Sequence, residues 1–148
     1  MAYVETVGSV GAKLYNDRQI VENFVERLPT TTKIVVTGMK GPSLWAEEHA
    51  RLHLLTRPKV LIIPAAPGGG KWSKEEYIEH TTKRNLELLS MVGLVMAFWD
   101  GQDSNTRDII CRATAAKMPV FIIPEWEPGA LSEYHREQEI TFALDYFK

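Results

Sequence analysis

Five short apolar runs recur along the chain, Tyr3 to Val7, Lys33 to Thr37, Lys59 to Ile63, Gly93 to Phe98 and Val120 to Ile123, and each is followed by a polar or glycine-bearing loop and then a stretch with helical spacing. That alternation leaves few folds open. Strands buried on both faces read as continuous aliphatic and β-branched runs, and parallel neighbours need a right-handed helical crossover between them. The helical stretches carry their own signals. Asn16 or Asp17 can cap a helix whose apolar face is Ile20, Val21, Phe24, Val25 and Leu28, and Leu44, Ala46, Ala50 and Leu54 mark a second. Ser73-Lys-Glu-Glu76 matches a capping box for a helix from Lys74, which either runs to Met91 or breaks at a second cap near Thr81 and Thr82. Ile109, Ile110, Ala113 and Ala116 place a helix over Asp108 to Lys117, and Ile140, Ala143, Leu144 and Phe147 place the last over Leu131 to Lys148. The expected architecture is α/β: a three-layer, Rossmann-like parallel sheet of about five strands, in the order 3-2-1-4-5, with helices on both faces.

With 148 residues the chain has the length of one ordinary domain, so residues 1–148 are expected to share a single core. Hydrophobic residues at 45% and charged residues at 24% match globular averages and argue against long disorder. A formal charge of -2 gives no basic footprint, so no nucleic-acid partner is expected. The single cysteine, Cys111, rules out an intramolecular disulfide, suits a cytoplasmic location and is expected to be a buried thiol on an apolar helix face. No signal peptide or membrane span is legible. His49 and His53 have helical metal-ligand spacing but no third ligand; with Glu47, Glu48 and Arg51 beside them they read as a solvated face, and neither a metal nor a cofactor is expected. Phe142, Leu144, Tyr146 and Phe147 favour a homodimer, a homo-oligomer built through helices, the alternative being that they cover the sheet.

In an open parallel sheet, ligands lie outside the carboxyl ends of the strands, where helix N-termini offer free N–H groups. Three glycine loops should open there: Gly8 with Gly11, Gly38 with Gly41, and Gly101. Ser9, Ser43 and Thr106 add hydroxyls, and Asp100, Asp103, Ser104 and Asn105 make the fourth loop almost wholly polar. Glycine lets a phosphate or ribose approach the backbone, so these loops suit a nucleotide-like small molecule. Asp100 can bond a ribose, act as a base or cap the next turn. Gly8-Ser-Val-Gly11 is not a dinucleotide fingerprint, and Gly68-Gly-Gly70-Lys71 is not a phosphate-binding Walker motif. Trp72, in the Pro64 to Trp72 loop, is a lid candidate, and Trp99 a residue that could stack on a base.

Val7-Gly-Ser9, Val36-Thr-Gly38 with Gly41 and Ala46-Glu, Lys83-Arg-Asn85, and Ala97-Phe-Trp-Asp-Gly101 with Thr106 together resemble the SLOG superfamily, which includes the DNA-processing protein A and lonely-guy families. The resemblance runs from about Val4 to Pro124 and is nearest the small stand-alone Rossmann-like members of bacteria and phages. It implies a nucleotide-related pocket lined by Gly8, Ser9, Gly38, Gly41, Ser43, Arg84, Asn85, Asp100, Gly101, Asp103, Asn105 and Thr106. Arg84 would grip a phosphate or carboxylate, and Asn85 would read a base or sugar hydroxyl. The pattern is broken at Val10, where relatives carry a basic residue, at Ser43, where they carry Asp, and at Asp103, where they carry a hydroxyl. A phosphate beside Asp103 is repelled unless Arg84 or a metal intervenes. The lonely-guy Pro-Gly-Gly-x-Gly-Thr signature is absent from the fourth loop. The expected function is a sensor or sequestering module for a nucleotide or nucleotide-derived ligand; the alternative is cleavage or transfer at an N-glycosidic bond, with Asp100, Asp103 or a neighbouring glutamate stabilising an oxocarbenium-like centre.

Overall fold

In the computed structural model, residues 5–29, 31–37, 39–53, 60–62 and 73–147 are described. Strands β1 (Thr6–Gly11), β2 (Lys33–Val36), β3 (Val60–Ile62), β4 (Leu94–Trp99) and β5 (Val120–Pro124) form one parallel sheet in the order β3-β2-β1-β4-β5. The expected class and strand order are those found. Helices α1 (Arg18–Arg27), α2 (Pro42–His53) and α5 (Ala130–Leu144) pack on one face of the sheet, and α3 (Lys74–Met91) and α4 (Ser104–Ala115) on the other.

Strand alternation accounts for the two cores. Val7, Ile34, Val36, Leu94, Met96, Phe98 and Ile123 point toward α1, α2 and α5, meeting Val21, Phe24, Ala46, Ile140 and Phe147. Val10, Val35, Val95 and Ala97 point the other way, onto Leu88 and Val92 at the end of α3 and Ile109 and Ala113 of α4. Since β1 lies at the sheet centre and β4 pairs with it from Val7↔Leu94 to Gly11↔Phe98, the reversal of strand order falls between β1 and β4.

Several boundaries differ from expectation for physical reasons. β1 was expected to stop at Gly8-Ser9, yet the ladder to β4 carries it on to Gly11. A central strand tolerates these glycines because helices press on them: a Cβ on Gly8 would lie 3.4 Å from Val92, and one on Gly11 would lie 2.5 Å from Pro42, the first residue of α2. Helix α3 runs unbroken through Thr81 and Thr82. Two threonines lower helix propensity by roughly 1 kcal/mol together, less than a second nucleation would cost. Helix α4 starts at Ser104 rather than Asp108 because Asp103 is its N-cap. Cys111 is exposed, being on the side of α4 opposite the inward pair Ile109 and Ala113. His49 is buried rather than solvated, its Nε2 2.8 Å from Glu26 and its Nδ1 3.5 Å from Glu22, so that it joins α2 to α1. At the tail, Phe147 is buried and Leu144 and Tyr146 pack on the core, leaving Phe142 half exposed; the tail covers its own sheet.

Candidate functional site

The carboxyl edge has two halves, and the residues expected to line one pocket are divided between them. Ser9 shares the parity of Val7 and therefore faces the α1–α2 layer, where its hydroxyl is buried without a hydrogen-bond partner. Ser43 donates to the Ser9 carbonyl oxygen at 2.9 Å, so its hydroxyl fastens α2 to β1. Gly41, at φ +96°, lets the loop before α2 pass so close to Ala12 that a Cβ would sit 2.8 Å from its carbonyl oxygen. Gly8 and Gly11 lie inside β1 rather than in a loop. Gly38 and the Pro64 to Trp72 loop lie outside the described residues.

At the mouth of α4 the acids are occupied by their own loop. Asp100 Oδ1 accepts from the backbone N–H of both Gln102 and Asp103 at 2.8 Å, across a turn that Gly101 closes at φ +81°. Asp103 Oδ2 accepts from the Thr106 backbone N–H at 2.8 Å and from its hydroxyl at 2.6 Å, and Thr106 is fully buried. Trp99 Nε1 donates to the Asp103 carbonyl oxygen at 3.1 Å, tying the indole to this turn. Of the three roles open to Asp100, capping the turn is the one the geometry displays.

The other residues of the set meet on the α3–α4 side. Asn85 is completely buried, and its Nδ2 donates to Asn105 Oδ1 and to Asp108 Oδ2, each at 2.9 Å. A carboxylate only accepts, so the contact with Asp108 fixes the orientation of the amide and leaves Oδ1 as an acceptor, buried and without a partner. Asn105 in turn lies 3.8 Å from the sulfur of Met39, which brings the loop after β2 to the same corner. Arg84, the preceding residue, is half-buried with an Nε that has no hydrogen-bond partner, and it forms no ion pair among the described residues. Burial pushes its guanidinium below the ordinary arginine value, with Tyr77 offsetting part of the shift. A groove of about 180 Å³ opens beside these residues, lined by Tyr77, Ile78, Thr81, Thr82, Ser104, Asn105 and Asp108. The alternation of runs and loops pointed to the α4 mouth; the groove wall on the first two turns of α3 had no signal beyond a capping box.

A larger cavity, about 340 Å³, lies on the opposite layer between α1, the segment after β5 and α5, and its walls include Asp17, Asn23, Trp126, Glu133 and Arg136. Its buried cation is fully engaged. Arg136 donates from Nε to the Pro124 carbonyl oxygen at 3.0 Å and from Nη2 to the Tyr15 hydroxyl at 3.1 Å, and pairs with Asp17 at 2.9 Å. Tyr15 donates to Pro124 at 2.7 Å, and burial pushes its hydroxyl up to about 12 despite the arginine beside it. Asn16 and Trp126 exchange two hydrogen bonds that fasten the loops together. Cavity size and chemical need therefore disagree: of the three buried polar atoms without a partner among the described residues, Arg84 Nε and Asn85 Oδ1 lie beside the smaller groove and Ser9 Oγ faces the α1–α2 layer.

A parallel sheet in this order, with its helices split between faces at the β1–β4 switch, defines a Rossmann-like domain of the type that binds ligands at the strands' carboxyl ends. Among solved structures, the chain is similar to DNA processing protein A from Streptococcus pneumoniae, with a TM-score of 0.64 and 16% identity over 97% of this chain and 56% of that one. It is similar as well to DNA processing protein A from Helicobacter pylori, described for a single-stranded DNA binding mode, with a TM-score of 0.65 and 14% identity over 95% of this chain and 78% of that one. The chain thus spans little more than half of the Streptococcus protein, and it has the fold that its SLOG-like motifs implied. No family model and no curated protein matches the sequence. One expectation is overturned here: the absence of a nucleic-acid partner was inferred from net charge, and a neighbour of this fold is described binding single-stranded DNA, so net charge excludes nothing. Among the described residues, no helix is long and apolar enough to cross a membrane, and no group of three His, Cys, Asp or Glu side chains could hold a metal.

Proposed function

We propose that this chain binds a nucleotide, either free or as a unit of a single strand, in the groove between α3 and α4, and that it acts as a sensor or sequestering module. One observation carries the proposal: Arg84 and Asn85, adjacent on α3, present a buried donor and a buried acceptor that nothing in the described chain satisfies. Leaving such groups unpaired costs about 1–3 kcal/mol each, more for a charged one, and a ligand that supplies an anionic oxygen to Arg84 and an N–H or O–H to Asn85 recovers that cost. A nucleotide has both in one molecule. Tyr77, half exposed at the groove, offers a face to a base. The single-stranded DNA binding described for the Helicobacter neighbour is in keeping with a nucleotide-like ligand on this fold. Cleavage of an N-glycosidic bond would call on a free carboxylate, and Asp100 and Asp103 both accept hydrogen bonds from their own loop.

Thermal melts with a panel of nucleosides, nucleoside monophosphates and a short single-stranded oligonucleotide test this. At a ligand concentration about a hundredfold above Kd, linkage adds roughly 2.7 kcal/mol, or about 5–10 °C in Tm for a domain of this size. The expected result is such a rise for at least one member, abolished by Arg84→Met. A flat panel, or a rise that Arg84→Met leaves intact, refutes the proposal, and release of free base during the incubation would make the protein a catalyst.

A further inference from the structure

We infer that Asn85 sets which base the groove accepts: adenine or cytosine, in which an amino group stands beside a bare ring nitrogen, rather than hypoxanthine or uracil, in which a carbonyl oxygen stands beside a ring N–H. The inference rests on the nucleotide reading above and adds the class of base. Asn85 stands directly behind the groove, since both side chains it donates to, Asn105 and Asp108, line it. Both N–H donors of its amide are taken; its oxygen is not. An exposed asparagine can turn its amide over to suit either a donor or an acceptor. Here that turn is blocked. It would bring Oδ1 against the Asp108 carboxylate, which has no hydrogen to give and is itself held by Arg112 Nε, 3.0 and 2.9 Å from its two oxygens. The group that meets Oδ1 must therefore be a donor.

The front of this amide is closed by Asn105, and loosely. Beyond the bond it accepts from Asn85, the Asn105 side chain has, among the described residues, a 3.8 Å contact with the sulfur of Met39, a weak acceptor. A ligand that takes the place of Asn105 meets an N–H of Asn85 next to Oδ1. Asparagine in that state pairs with an acceptor and a donor side by side, as it does with N7 and N6 of adenine. Cytosine offers the same pair at N3 and N4. Hypoxanthine and uracil offer a carbonyl oxygen where the amino group stood, so that oxygen faces Oδ1. Arg84, one residue earlier on α3, holds the phosphate in the reading above, and so opposes a turn of the base that would reverse its edge. Tyr77 and Ile78, each about half exposed on the groove wall, supply apolar surface for a flat base.

The test is isothermal titration near neutral pH with two pairs of nucleotides that differ at this edge, adenosine against inosine 5′-monophosphate and cytidine against uridine 5′-monophosphate, and with short oligo(dC) against oligo(dU). The native chain should favour the amino member of each pair by roughly tenfold to a hundredfold, the range expected when a buried acceptor is left unpaired. Asn85→Leu keeps the volume, removes the acceptor and should erase the ratio. Asp108→Asn, with a neutral amide that accepts either orientation of Asn85, should lower it and serves where the leucine variant does not fold. Equal binding within the native pairs, preference for the keto members, or a ratio that survives either substitution would overturn the base selection and leave the nucleotide reading standing. Failure of every ligand to bind removes both. A preference shown by the oligonucleotides alone supports the inference and identifies a strand as the source of the base.

Discussion

Of the arginines at the carboxyl edge of this sheet, Arg136 and Arg84 are drawn away from water, and the protein treats them in opposite ways. Arg136, on the α5 side, is 4% exposed and bonds to a carbonyl, a tyrosine hydroxyl and the carboxylate of Asp17. Arg84, on the α3 side, is half-buried, with an Nε that has no hydrogen-bond partner and no ion pair among the described residues. The first costs desolvation and recovers it within the fold; the second bears that cost with no return from the chain. Fully satisfied charges on one flank hold the loops after β1 and β5 together, while on the other flank the Nε of Arg84 has no partner among the described residues, which is what the proposed ligand would answer. That asymmetry identifies the groove better than volume does, since the larger cavity lies on the satisfied flank.

The largest effect expected is on that flank. Arg136→Met strands the Asp17 carboxylate, whose side chain is 21% exposed, along with the Tyr15 hydroxyl, and should cost about 3 kcal/mol, the low end for a broken buried pair. Urea denaturation measures it, and a loss below 1 kcal/mol would mean that the flank is not held by this network. Next in size is Gly11→Ala, at about 2 kcal/mol, because the new methyl meets Pro42 and, at 2.6 Å, the carbonyl oxygen of Phe98. Here the backbone must move. Tyr15→Phe removes a hydroxyl that donates to Pro124 and accepts from Arg136 and should cost about 1–2 kcal/mol at neutral pH. Tyr15 has a folded value near 12 against 10 unfolded, so its contribution is complete below pH 10 and is lost as pH rises toward 12, where the unfolded chain ionises first. The Phe variant should lack that part of the alkaline decline, and an identical decline in both proteins would count against the buried hydroxyl as its source.

The same contrast explains what could be read from sequence. Strand order and layers followed from five apolar runs and their crossovers, which are local patterns under topological rules. Asp103 and Thr106 were legible as parts of a polar loop, although their pairing with each other rather than with a ligand depends on an N-cap one residue before the helix begins. Ser9 was assigned to the cleft because it follows a glycine; strand parity, which requires knowing that β1 continues to Gly11, turns it toward the other layer. Arg136 gave no signal at all. Its partners Tyr15 and Asp17 follow the central strand β1, 121 and 119 residues away, and Pro124 closes β5, 12 residues before it; contacts at such separations leave no periodic trace. Arg84 and Asn85 were singled out by resemblance, whereas their missing partners are visible only in three dimensions.

The smallest expected change in stability is the sharpest test of the comparison. Arg84→Met keeps an aliphatic side chain at this place on α3 and removes a charge whose burial Tyr77 offsets only in part, so stability should stay within about 0.5 kcal/mol of the native value or rise. An arginine with a structural role would behave like Arg136 and lose several times as much. Binding should move the other way, because a nucleotide that raises the native Tm would find no cation in the variant. Denaturation and ligand-dependent melts on one preparation supply both numbers. A stable Arg84→Met chain that no longer responds to ligand makes the guanidinium a binding group held at the expense of the fold; a destabilised chain that still responds would make it part of the scaffold and erase the difference between the two flanks.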